Sequence, residues 1–322
     1  MVSGGTALQV GIIGAAIVGL WIGARMLVDA VVRLARRFGL SDLTIGLTVV
    51  AAGTSMPELA VTGDAALKGL GDIAVGNIIG SNIYNLAFIL GIVSLIRVVP
   101  VERSLIHRDG LALIASTLVG GAVVLDLSLS RPEGFLLVGL FVAYTAYLLR
   151  TGVDTASSES DSRPAISTSL SRAVQFRGRD AALLVAGLAV VLVSGDLLVG
   201  AASTLARSAG ISDWLIGGTI VAAGTSTPEF AVSLVAVRRG RLGVSVGNVV
   251  GSNVFNVLAI LGVAGLIHPL AVNGAVLESI AWLTAVAVLM VAALWTGRQL
   301  SRPEGGLFAL SELVRWALGL LG

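Results

Sequence analysis

Residues 53–58 read Gly-Thr-Ser-Met-Pro-Glu, and residues 224–229 repeat this stretch as Gly-Thr-Ser-Thr-Pro-Glu, each time inside a long apolar run. Proline has no N–H and its ring clashes with the preceding turn, so a helix should break before Pro57 and before Pro228. A carboxylate follows each proline, at Glu58 and Glu229, where hydrocarbon surroundings make a charge costly. We therefore expect two broken helices, each with a functional glutamate beside its break.

A second shared signature follows each motif. Residues 76–85 read Gly-Asn-Ile-Ile-Gly-Ser-Asn-Ile-Tyr-Asn, and residues 247–256 read Gly-Asn-Val-Val-Gly-Ser-Asn-Val-Phe-Asn. Residues 41–92 align with 212–263 without a gap at an offset of 171, with 27 identities in 52 positions. The same offset relates Ser-Arg-Pro-Glu-Gly at 130–134 to its copy at 301–305. The chain therefore contains two copies of one unit.

The composition is that of an integral membrane protein. Of the 322 residues, 56% are hydrophobic and 12% are charged, and the mean hydropathy is +0.95. Soluble domains average about 25% charged residues. Cysteine is absent from the sequence, which excludes disulfides and thiolate metal sites. The net charge of +2 does not indicate nucleic-acid binding, because the basic residues lie mostly between the apolar runs.

Ten apolar runs are long enough, at roughly 20 residues, to cross a bilayer as helices. They cover residues 7–36, 42–68, 72–97, 105–126, 133–150, 180–207, 213–238, 243–267, 272–296 and 304–321. The polar residues 151–179 predict a flexible linker between a first half at 1–150 and a second half at 180–322. Each half then holds five spans, and this odd number inverts the second copy in the membrane. The predicted fold is an all-α integral membrane protein whose ten transmembrane helices form two inverted five-helix repeats.

Basic residues give the predicted orientation, because Lys and Arg favour the cytoplasmic side of a membrane. With the N-terminus outside, 16 of the 21 basic residues fall in inner loops, and Arg25 falls within the first span. The remaining 4, in outer loops, are Lys68, Arg131, Arg207 and Arg315. We expect a multi-pass protein of the plasma membrane, with its N-terminus outside and its linker in the cytoplasm.

The repeated motifs collect oxygen atoms, because each break frees backbone carbonyls beside two hydroxyls and a carboxylate. The side chains are Thr54, Ser55 and Glu58 in the first copy, and Thr225, Ser226 and Glu229 in the second. Hard cations such as Ca²⁺ take oxygen ligands, whereas zinc, copper and iron favour His or Cys, which the motifs lack. Two facing carboxylates repel each other, so a cation or a proton must balance them, and one divalent ion balances both.

The second signature adds polar groups to the span that follows each motif. Its Gly-Ser-Asn triplet is predicted to loosen the helix at mid-depth. Ser81 and Asn85 are four residues apart and share a helix face, and Ser252 and Asn256 repeat this arrangement. Interhelical hydrogen bonding is an equally good interpretation of the other asparagines, which are Asn77, Asn82, Asn248 and Asn253.

Three further charges lie within the first and sixth spans. Arg25 and Asp196 are equivalent under the offset, and Asp29 is one turn from Arg25. We interpret them as an ion pair on or between helices, with a role in gating as the alternative.

Taken together, the motifs resemble the two alpha repeats of the cation/Ca²⁺ exchanger superfamily, most closely its Na⁺/Ca²⁺ exchanger branch. The resemblance covers the cores of both halves, the span count and the inverted topology. The H⁺/Ca²⁺ branch tends to carry Asn-x-x-Glu at the carboxylate motif, which is not seen there in this chain. The resemblance implies that Glu58 and Glu229 are the central Ca²⁺ and Na⁺ ligands. The other implied ligands are Thr54, Ser55, Thr225 and Ser226, the carbonyls of Ala51 and Ala222, Ser81 and Ser252 at outer Na⁺ sites, and Asn85 and Asn256 in the middle of the cage.

The resemblance implies a secondary active antiporter, not an enzyme, that exchanges Na⁺ for Ca²⁺ by alternating access and uses no cofactor. Ca²⁺ efflux driven by Na⁺ influx is the expected direction. The expected partners are these ions and the lipid bilayer, without nucleic acid, and nothing in the sequence demands more than a monomer. The alternatives are an H⁺-coupled Ca²⁺ or Mn²⁺ antiporter using the same glutamates, a cation channel, and a membrane scaffold.

One position departs from part of the family. Some relatives carry Asp at the position of Asn256, whereas this chain has Asn in both copies. The resemblance therefore implies a transporter without giving the number of Na⁺ ions exchanged or the preference for Ca²⁺. The linker is also short compared with the large regulatory loop of animal exchangers, so Ca²⁺-sensing domains are not expected in it.

Overall fold

A computed structural model describes residues 5–38, 41–100, 105–160, 178–209 and 222–321 of the chain. Within these ranges, six helices are long and apolar enough to cross a membrane. The number is seven if two segments that meet at a bend, Asp42–Thr54 and Met56–Leu67, count as one span. The prediction of a helical membrane protein is confirmed at this level.

The described part of the first half consists of helices and two very short strands. In chain order they are α1 (Thr6–Phe38), α2 (Asp42–Ile45), α3 (Ala51–Thr54), α4 (Met56–Leu67), α5 (Gly71–Ile83), α6 (Leu90–Ile96), β1 (Val99–Pro100), α7 (Leu111–Ala122), β2 (Ser128–Leu129) and α8 (Arg131–Ser160). Wider π-helical turns occur at Gly46–Val50, Tyr84–Ile89 and Leu105–Gly110.

The described part of the second half repeats this plan. Its elements are α9 (Gly178–Ser208), α10 (Ala222–Thr225), α11 (Thr227–Arg238), α12 (Leu242–Phe255), α13 (Leu261–Ile267), β3 (Leu270–Ala271), α14 (Ala275–Gly297), β4 (Gln299–Leu300) and α15 (Arg302–Leu321). A π-helical turn at Asn256–Ile260 joins α12 to α13.

Two equivalent segments form the centre of the molecule. Buried residues make up 72% of the apolar stretch in Gly71–Ile96 and 78% of that in Leu242–Ile267, against 17–28% in the other four candidate spans. These two segments are surrounded by protein because they are built from small and β-branched residues, such as Val75, Ile78 and Val249, whose side chains are fully buried. The two segments carry the second signature, so its polar groups lie in the core.

The helix breaks before Pro57, as predicted. Segments Asp42–Thr54 and Met56–Leu67 meet at an angle of 48°. Ser55 at the junction has φ −82° and ψ 15°, outside the helical region. Ser226 adopts nearly the same backbone angles, φ −87° and ψ 8°, between α10 and α11. Both glutamates therefore lie in the first turn after a break.

The predicted loosening at the Gly-Ser-Asn triplets was placed too early in both copies. Residues 80–82 and 251–253 lie in regular α-helix. The helix widens only afterwards, in the π-helical turns that begin at Tyr84 and Asn256. Widening at these points places Asn85 and Asn256 in turns whose hydrogen-bond register is shifted, an arrangement that is frequent at functional sites.

Short strands connect the two halves. In one antiparallel pair, β1 lies beside β4, with Val99 opposite Leu300. In the other, β2 lies beside β3, with Leu129 opposite Leu270. The offset of 171 converts each pair into the other, since 99 corresponds to 270 and 129 to 300. The halves therefore make the same contact with each other twice.

The repeated Ser-Arg-Pro-Glu-Gly stretch is a helix start in both copies. The backbone N–H of Ser130 donates to Oε2 of Glu133 at 2.7 Å, and that of Ser301 donates to Oε2 of Glu304 at 2.9 Å. This is the glutamate half of a capping box, in which a side chain three residues on accepts from the capping residue. These two glutamates are therefore structural.

The broken span of the first half packs unusually closely against α12. A Cβ atom on Gly251 would lie 2.5 Å from the carbonyl oxygen of Leu47, and one on Gly247 would lie 2.6 Å from that of Leu43. Both neighbouring atoms belong to backbone, which cannot move aside as a side chain can. Glycine at these positions brings the backbone of α12 against the segment that leads to Thr54 and Ser55.

We expect Gly251→Ala to destabilise the protein by about 1–3 kcal/mol, because overpacking a filled interior has this cost. Thermal unfolding in detergent, followed by the loss of the monodisperse peak, measures the effect. Gly139→Ala in α8 is the matched control, because no atom lies within 4 Å of its added Cβ. Equal stability of the two variants would show that the α12 contact is looser than described.

The predicted linker is only partly described. Helix α8 continues to Ser160, ten residues beyond the predicted end of the fifth span at 150, and α9 begins at Gly178. Residues 161–177 lie outside the described residues, and so does the beginning of the predicted seventh span, at 213–221.

Candidate cation site

Each glutamate is hydrogen-bonded by the serine at the other half's break. The hydroxyl of Ser226 donates to Oε1 of Glu58 at 2.9 Å, and the hydroxyl of Ser55 donates to Oε1 of Glu229 at 2.8 Å. All four side chains are completely buried. The two contacts are equivalent under the offset of 171, so the breaks of both halves meet at one site.

The second oxygen of each carboxylate has no such contact. Oε2 of Glu58 and Oε2 of Glu229 are buried and make no hydrogen bond with the part of the chain that the structure describes. A buried acceptor left without a partner costs about 1–3 kcal/mol, and more when it is charged. Two such oxygens on two buried carboxylates require a bound cation or proton.

Threonines extend the site along both broken spans. The hydroxyl of Thr54 lies 3.0 Å from Oδ1 of Asn248 and 3.1 Å from the carbonyl oxygen of Val50. The hydroxyl of Thr225 lies 3.4 Å from that of Ser81. Ser81 and Thr225 thus bring the third span of the first half against the break of the second half.

Asparagines of the second signature form a chain of contacts through the centre. Nδ2 of Asn82 donates to the carbonyl oxygen of Asn253 at 3.0 Å, and Oδ1 of Asn82 accepts from Nδ2 of Asn256 at 2.9 Å. Oδ1 of Asn256 accepts no hydrogen bond from the described part of the chain. Both amide atoms of the buried Asn85 also lack a hydrogen bond with described residues. The two equivalent asparagines therefore have different surroundings.

A model of the family described as sodium/calcium exchanger protein matches residues 8–150 and 180–311 of this chain. The chain belongs to this exchanger family. It is therefore a transmembrane cation/Ca²⁺ antiporter.

Relatives of the exchanger extend over most of its length. The putative antiporter CaxA of Alkalimonas amylolytica is 38% identical over 281 residues, which cover 84% of this chain and 86% of CaxA. The sodium/calcium exchanger MaX1 of Methanosarcina acetivorans is 29% identical over 315 residues, which cover 88% of this chain and 90% of MaX1.

Solved structures of the sodium–calcium exchanger NCX_Mj share the fold. The structure soaked with 2.5 mM Na⁺ and 0.1 mM Ca²⁺ superposes with a TM-score of 0.82 at 30% identity, over 96% of this chain and 98% of that one. The structure soaked with zero Na⁺ and Ca²⁺ gives a TM-score of 0.83 at 30% identity, over 98% of this chain and 100% of that one.

The exchanger holds its broken helices in place with a separate pair of asparagines. Nδ2 of Asn248 donates to the carbonyl oxygen of Glu229 at 3.2 Å and to Ser233 at 3.0 Å. Nδ2 of Asn77 makes the equivalent contacts with the carbonyl oxygen of Glu58 at 3.4 Å and with Thr62 at 3.0 Å. Interhelical hydrogen bonding is therefore the correct interpretation of Asn77 and Asn248.

The predicted carbonyl ligands differ in how far the structure describes them. The carbonyl oxygen of Ala51 accepts the backbone N–H of Ser55 at 3.1 Å and lies 3.5 Å from the hydroxyl of Ser252. The break thus leaves this carbonyl hydrogen-bonded. Ala222 is the first residue of α10, in the equivalent position.

The side chains that the motifs predicted as ligands are buried in the exchanger. Those described as buried are Glu58, Glu229, Thr54, Ser55, Thr225, Ser226, Ser81, Ser252, Asn85 and Asn256. Within the described ranges, three or more His, Cys, Asp or Glu side chains never cluster as they would in a metal site. Asn82 was not among the predicted site residues, although its Oδ1 accepts a hydrogen bond from Asn256 and so positions that side chain. Its occurrence in both signatures was the available signal.

The charges of the first span pair differently from the expectation. Asp29 forms an ion pair with Arg239 at the end of the seventh span, and Arg25 is exposed. Asp196 is exposed as well. The predicted pairing of Arg25 with Asp29 or Asp196 is therefore wrong, because Asp29 pairs with Arg239, just after α11, which no pattern within α1 could reveal.

Proposed function

We propose that the protein exchanges Na⁺ for Ca²⁺ across the membrane, and that Na⁺ influx drives Ca²⁺ efflux. One observation carries this proposal: two fully buried carboxylates each have one oxygen held by the other half's serine and one oxygen without a hydrogen bond. One Ca²⁺ balances both negative charges, and so do Na⁺ ions bound in its place. The names of MaX1 and NCX_Mj as sodium/calcium exchangers support the same pair of ions.

The proposed ligands all carry oxygen, as a hard cation requires. Glu58 and Glu229 are the central ones. The others are Thr54, Ser55, Thr225, Ser226, Ser81, Ser252, Asn85 and Asn256, with the carbonyls of Ala51 and Ala222. An arriving cation competes for lone pairs that hydrogen bonds do not occupy, and these are present on both Oε2 atoms and on Oδ1 of Asn85 and of Asn256.

Ser55 and Ser226 are suited to switch between two roles. In the structure, each hydroxyl donates its proton to a carboxylate. A hydroxyl carries one donor and two acceptor lone pairs, and its proton rotates freely. Rotation about the Cβ–Oγ bond turns the proton away and presents a lone pair to the ion, without movement of the backbone.

We propose that the halves are inverted repeats of five spans each, with the N-terminus outside and a cytoplasmic linker around 151–179. Two equivalent strand pairs join the halves, and so do two equivalent serine–glutamate contacts. Both support this arrangement. A single chain supplies both halves of the site, so the working unit is a monomer in the plasma membrane.

Alternating access requires elements that move past a fixed site. Helices α1 and α9 are candidates because they cross closely, with a Cβ on Gly187 only 2.8 Å from the backbone nitrogen of Leu27. Only 28% and 24% of their apolar stretches are buried, so little other protein packs against the outer side of this helix pair. Neutralised carboxylates can pass an apolar barrier, whereas two bare charges cannot. Excess positive charge moving inward gains roughly 2.3 kcal/mol per elementary charge per 100 mV, which favours Ca²⁺ export.

The test is Ca²⁺ uptake into inverted membrane vesicles under an imposed Na⁺ gradient or an imposed pH gradient. We expect the Na⁺ gradient alone to drive uptake, and a protonophore to leave it unchanged. Uptake that follows the pH gradient and ignores Na⁺ would replace our proposal with H⁺-coupled antiport by the same glutamates. Flux that continues without any counter-ion would indicate a channel.

A further inference from the structure

A group of arginines lies where the first span meets the end of the seventh. Trp21, Arg25 and Asp29 are spaced four residues apart, so they form one stripe along α1. The last residue of α11, Arg238, places its guanidinium 5.1 Å from the centre of the Trp21 ring. Its neighbour Arg239 forms an ion pair with Asp29. Three guanidinium groups and one carboxylate therefore share this junction.

The carboxylates of the described residues do not balance these charges. Asp29 is taken by Arg239, and the next carboxylate along the junction, Asp180 of α9, is taken by Arg33 at 2.8 Å. Within the described ranges, Arg25 and Arg238 make no ion pair, and both are exposed. The guanidinium of Arg25 lies close enough to that of Arg239 for their positive charges to repel each other.

The position of Arg25 makes an unbalanced charge costly. It lies within the apolar stretch Thr6–Val31, six residues before its end. At a rise of about 1.5 Å per residue this depth is about 9 Å, and a long arginine side chain can reach back towards the polar boundary. Arg238, at the end of its helix, lies at that boundary. Trp21, whose indole is 39% exposed, lies one turn deeper in the same stretch.

We propose that Arg25, Arg238 and Trp21 bind the phosphate headgroup of an anionic phospholipid. The phosphate lies between the two guanidinium groups, each of which offers a planar pair of N–H donors to phosphate oxygens. The ring of Trp21 fixes the guanidinium of Arg238 from its other face. An acyl chain then follows the exposed apolar side chains of the same helix, Ile17 and Val18, which are 55% and 58% exposed.

A membrane lipid is a better occupant than a soluble anion, because the site opens on the surface that faces hydrocarbon. A soluble phosphate would have to leave water to reach this site, whereas a lipid phosphate already lies at the polar boundary towards which the Arg25 side chain extends. This proposal goes beyond the exchange reaction and needs only that α1 and α11 lie in a bilayer. Its test therefore does not depend on which ion drives transport.

Native mass spectrometry of the delipidated protein in a neutral detergent tests the proposal. The probes are dioleoyl phosphatidylglycerol, dioleoyl phosphatidylcholine with identical chains, and inorganic phosphate. We expect wild type to retain phosphatidylglycerol selectively, and Arg25→Gln and Arg238→Gln each to weaken retention about fivefold, as the loss of one interfacial basic residue predicts. Arg25→Lys, which keeps the charge but loses the planar pair of donors, should retain more lipid than Arg25→Gln and less than wild type. Arg302→Gln is the matched control, since Arg302 is another exposed arginine, located at the start of α15.

Equal retention of phosphatidylglycerol by wild type and both Gln variants would overturn the proposal. Equal retention of phosphatidylcholine would do the same, and displacement of the lipid by millimolar phosphate would assign the site to a soluble anion instead. Neither Arg25 nor Arg238 has a carboxylate partner among described residues, so both Gln variants should fold. If one fails to give a monodisperse protein, the other decides alone.

Discussion

Replacing either Glu58 or Glu229 with glutamine is expected to reduce Ca²⁺ exchange to the background of empty vesicles. Each carboxylate supplies half of the charge that balances a divalent ion, and removing one partner from a buried charge pair costs about 3–5 kcal/mol. A loss of 3 kcal/mol already corresponds to more than about 100-fold in affinity. The glutamine amide also turns two donors towards the ion. The measurement is ⁴⁵Ca²⁺ uptake into vesicles containing the purified variant at equal protein.

Glu278→Gln is the control for this change. Glu278 is exposed in the first turn of α14, so the same chemical substitution there removes a charge that is not part of the site. We expect it to transport like wild type. Exchange above about a tenth of wild type in either site variant would contradict the central role of that glutamate.

Asn85→Leu is expected to reduce transport without lowering the stability of the protein. Asn85 is fully buried and neither of its amide atoms makes a hydrogen bond with described residues, so leucine, which has the same number of side-chain heavy atoms, removes no hydrogen bond. Relief of an unpaired buried amide is worth about 1–3 kcal/mol, so the ion-free protein should be as stable as wild type or more stable. Exchange should fall at least about tenfold, because one oxygen ligand is lost. Thermal unfolding without Ca²⁺ and ⁴⁵Ca²⁺ uptake measure the two effects.

Asn82→Leu is the matched comparison and should show the opposite balance. Asn82 donates to the carbonyl oxygen of Asn253 and accepts from Asn256, so its loss removes two hydrogen bonds from the ion-free protein. We expect a lower melting temperature for this variant. If Asn85→Leu also destabilised the protein without Ca²⁺, Asn85 would have a structural partner. Its amide oxygen would then not be available as an ion ligand.

Local features of the site could be predicted because they follow from single residues. Pro57 and Pro228 remove backbone donors, which sets the positions of the breaks and therefore of Glu58 and Glu229. The offset of 171 between the two copies follows directly from identical residues in the sequence. Burial of the hydroxyl and amide groups followed from their placement in apolar sequence.

Partner choice could not be predicted, because it depends on packing between distant segments. No pattern in the sequence says which glutamate Ser55 contacts, and in the structure its hydroxyl donates to Glu229, 174 residues away. The π-helical turn begins at Tyr84 and not at the Gly-Ser-Asn triplet, which lies in regular α-helix. Asn85 and Asn256 are equivalent in sequence but differ in contacts, because only Asn256 lies beside Asn82.

The crossed serine–glutamate contacts also bear on the origin of the chain. Ser55 to Glu229 and Ser226 to Glu58 are one contact made twice, and so are the two strand pairs. Two identical half-length polypeptides that associated about a two-fold axis would make every one of these contacts. Such a homodimer would already possess a complete site before any gene fusion. After fusion, the partners of a mutated Ser55 or Glu58 lie in the other copy, so compensating changes are expected across the halves and not within them.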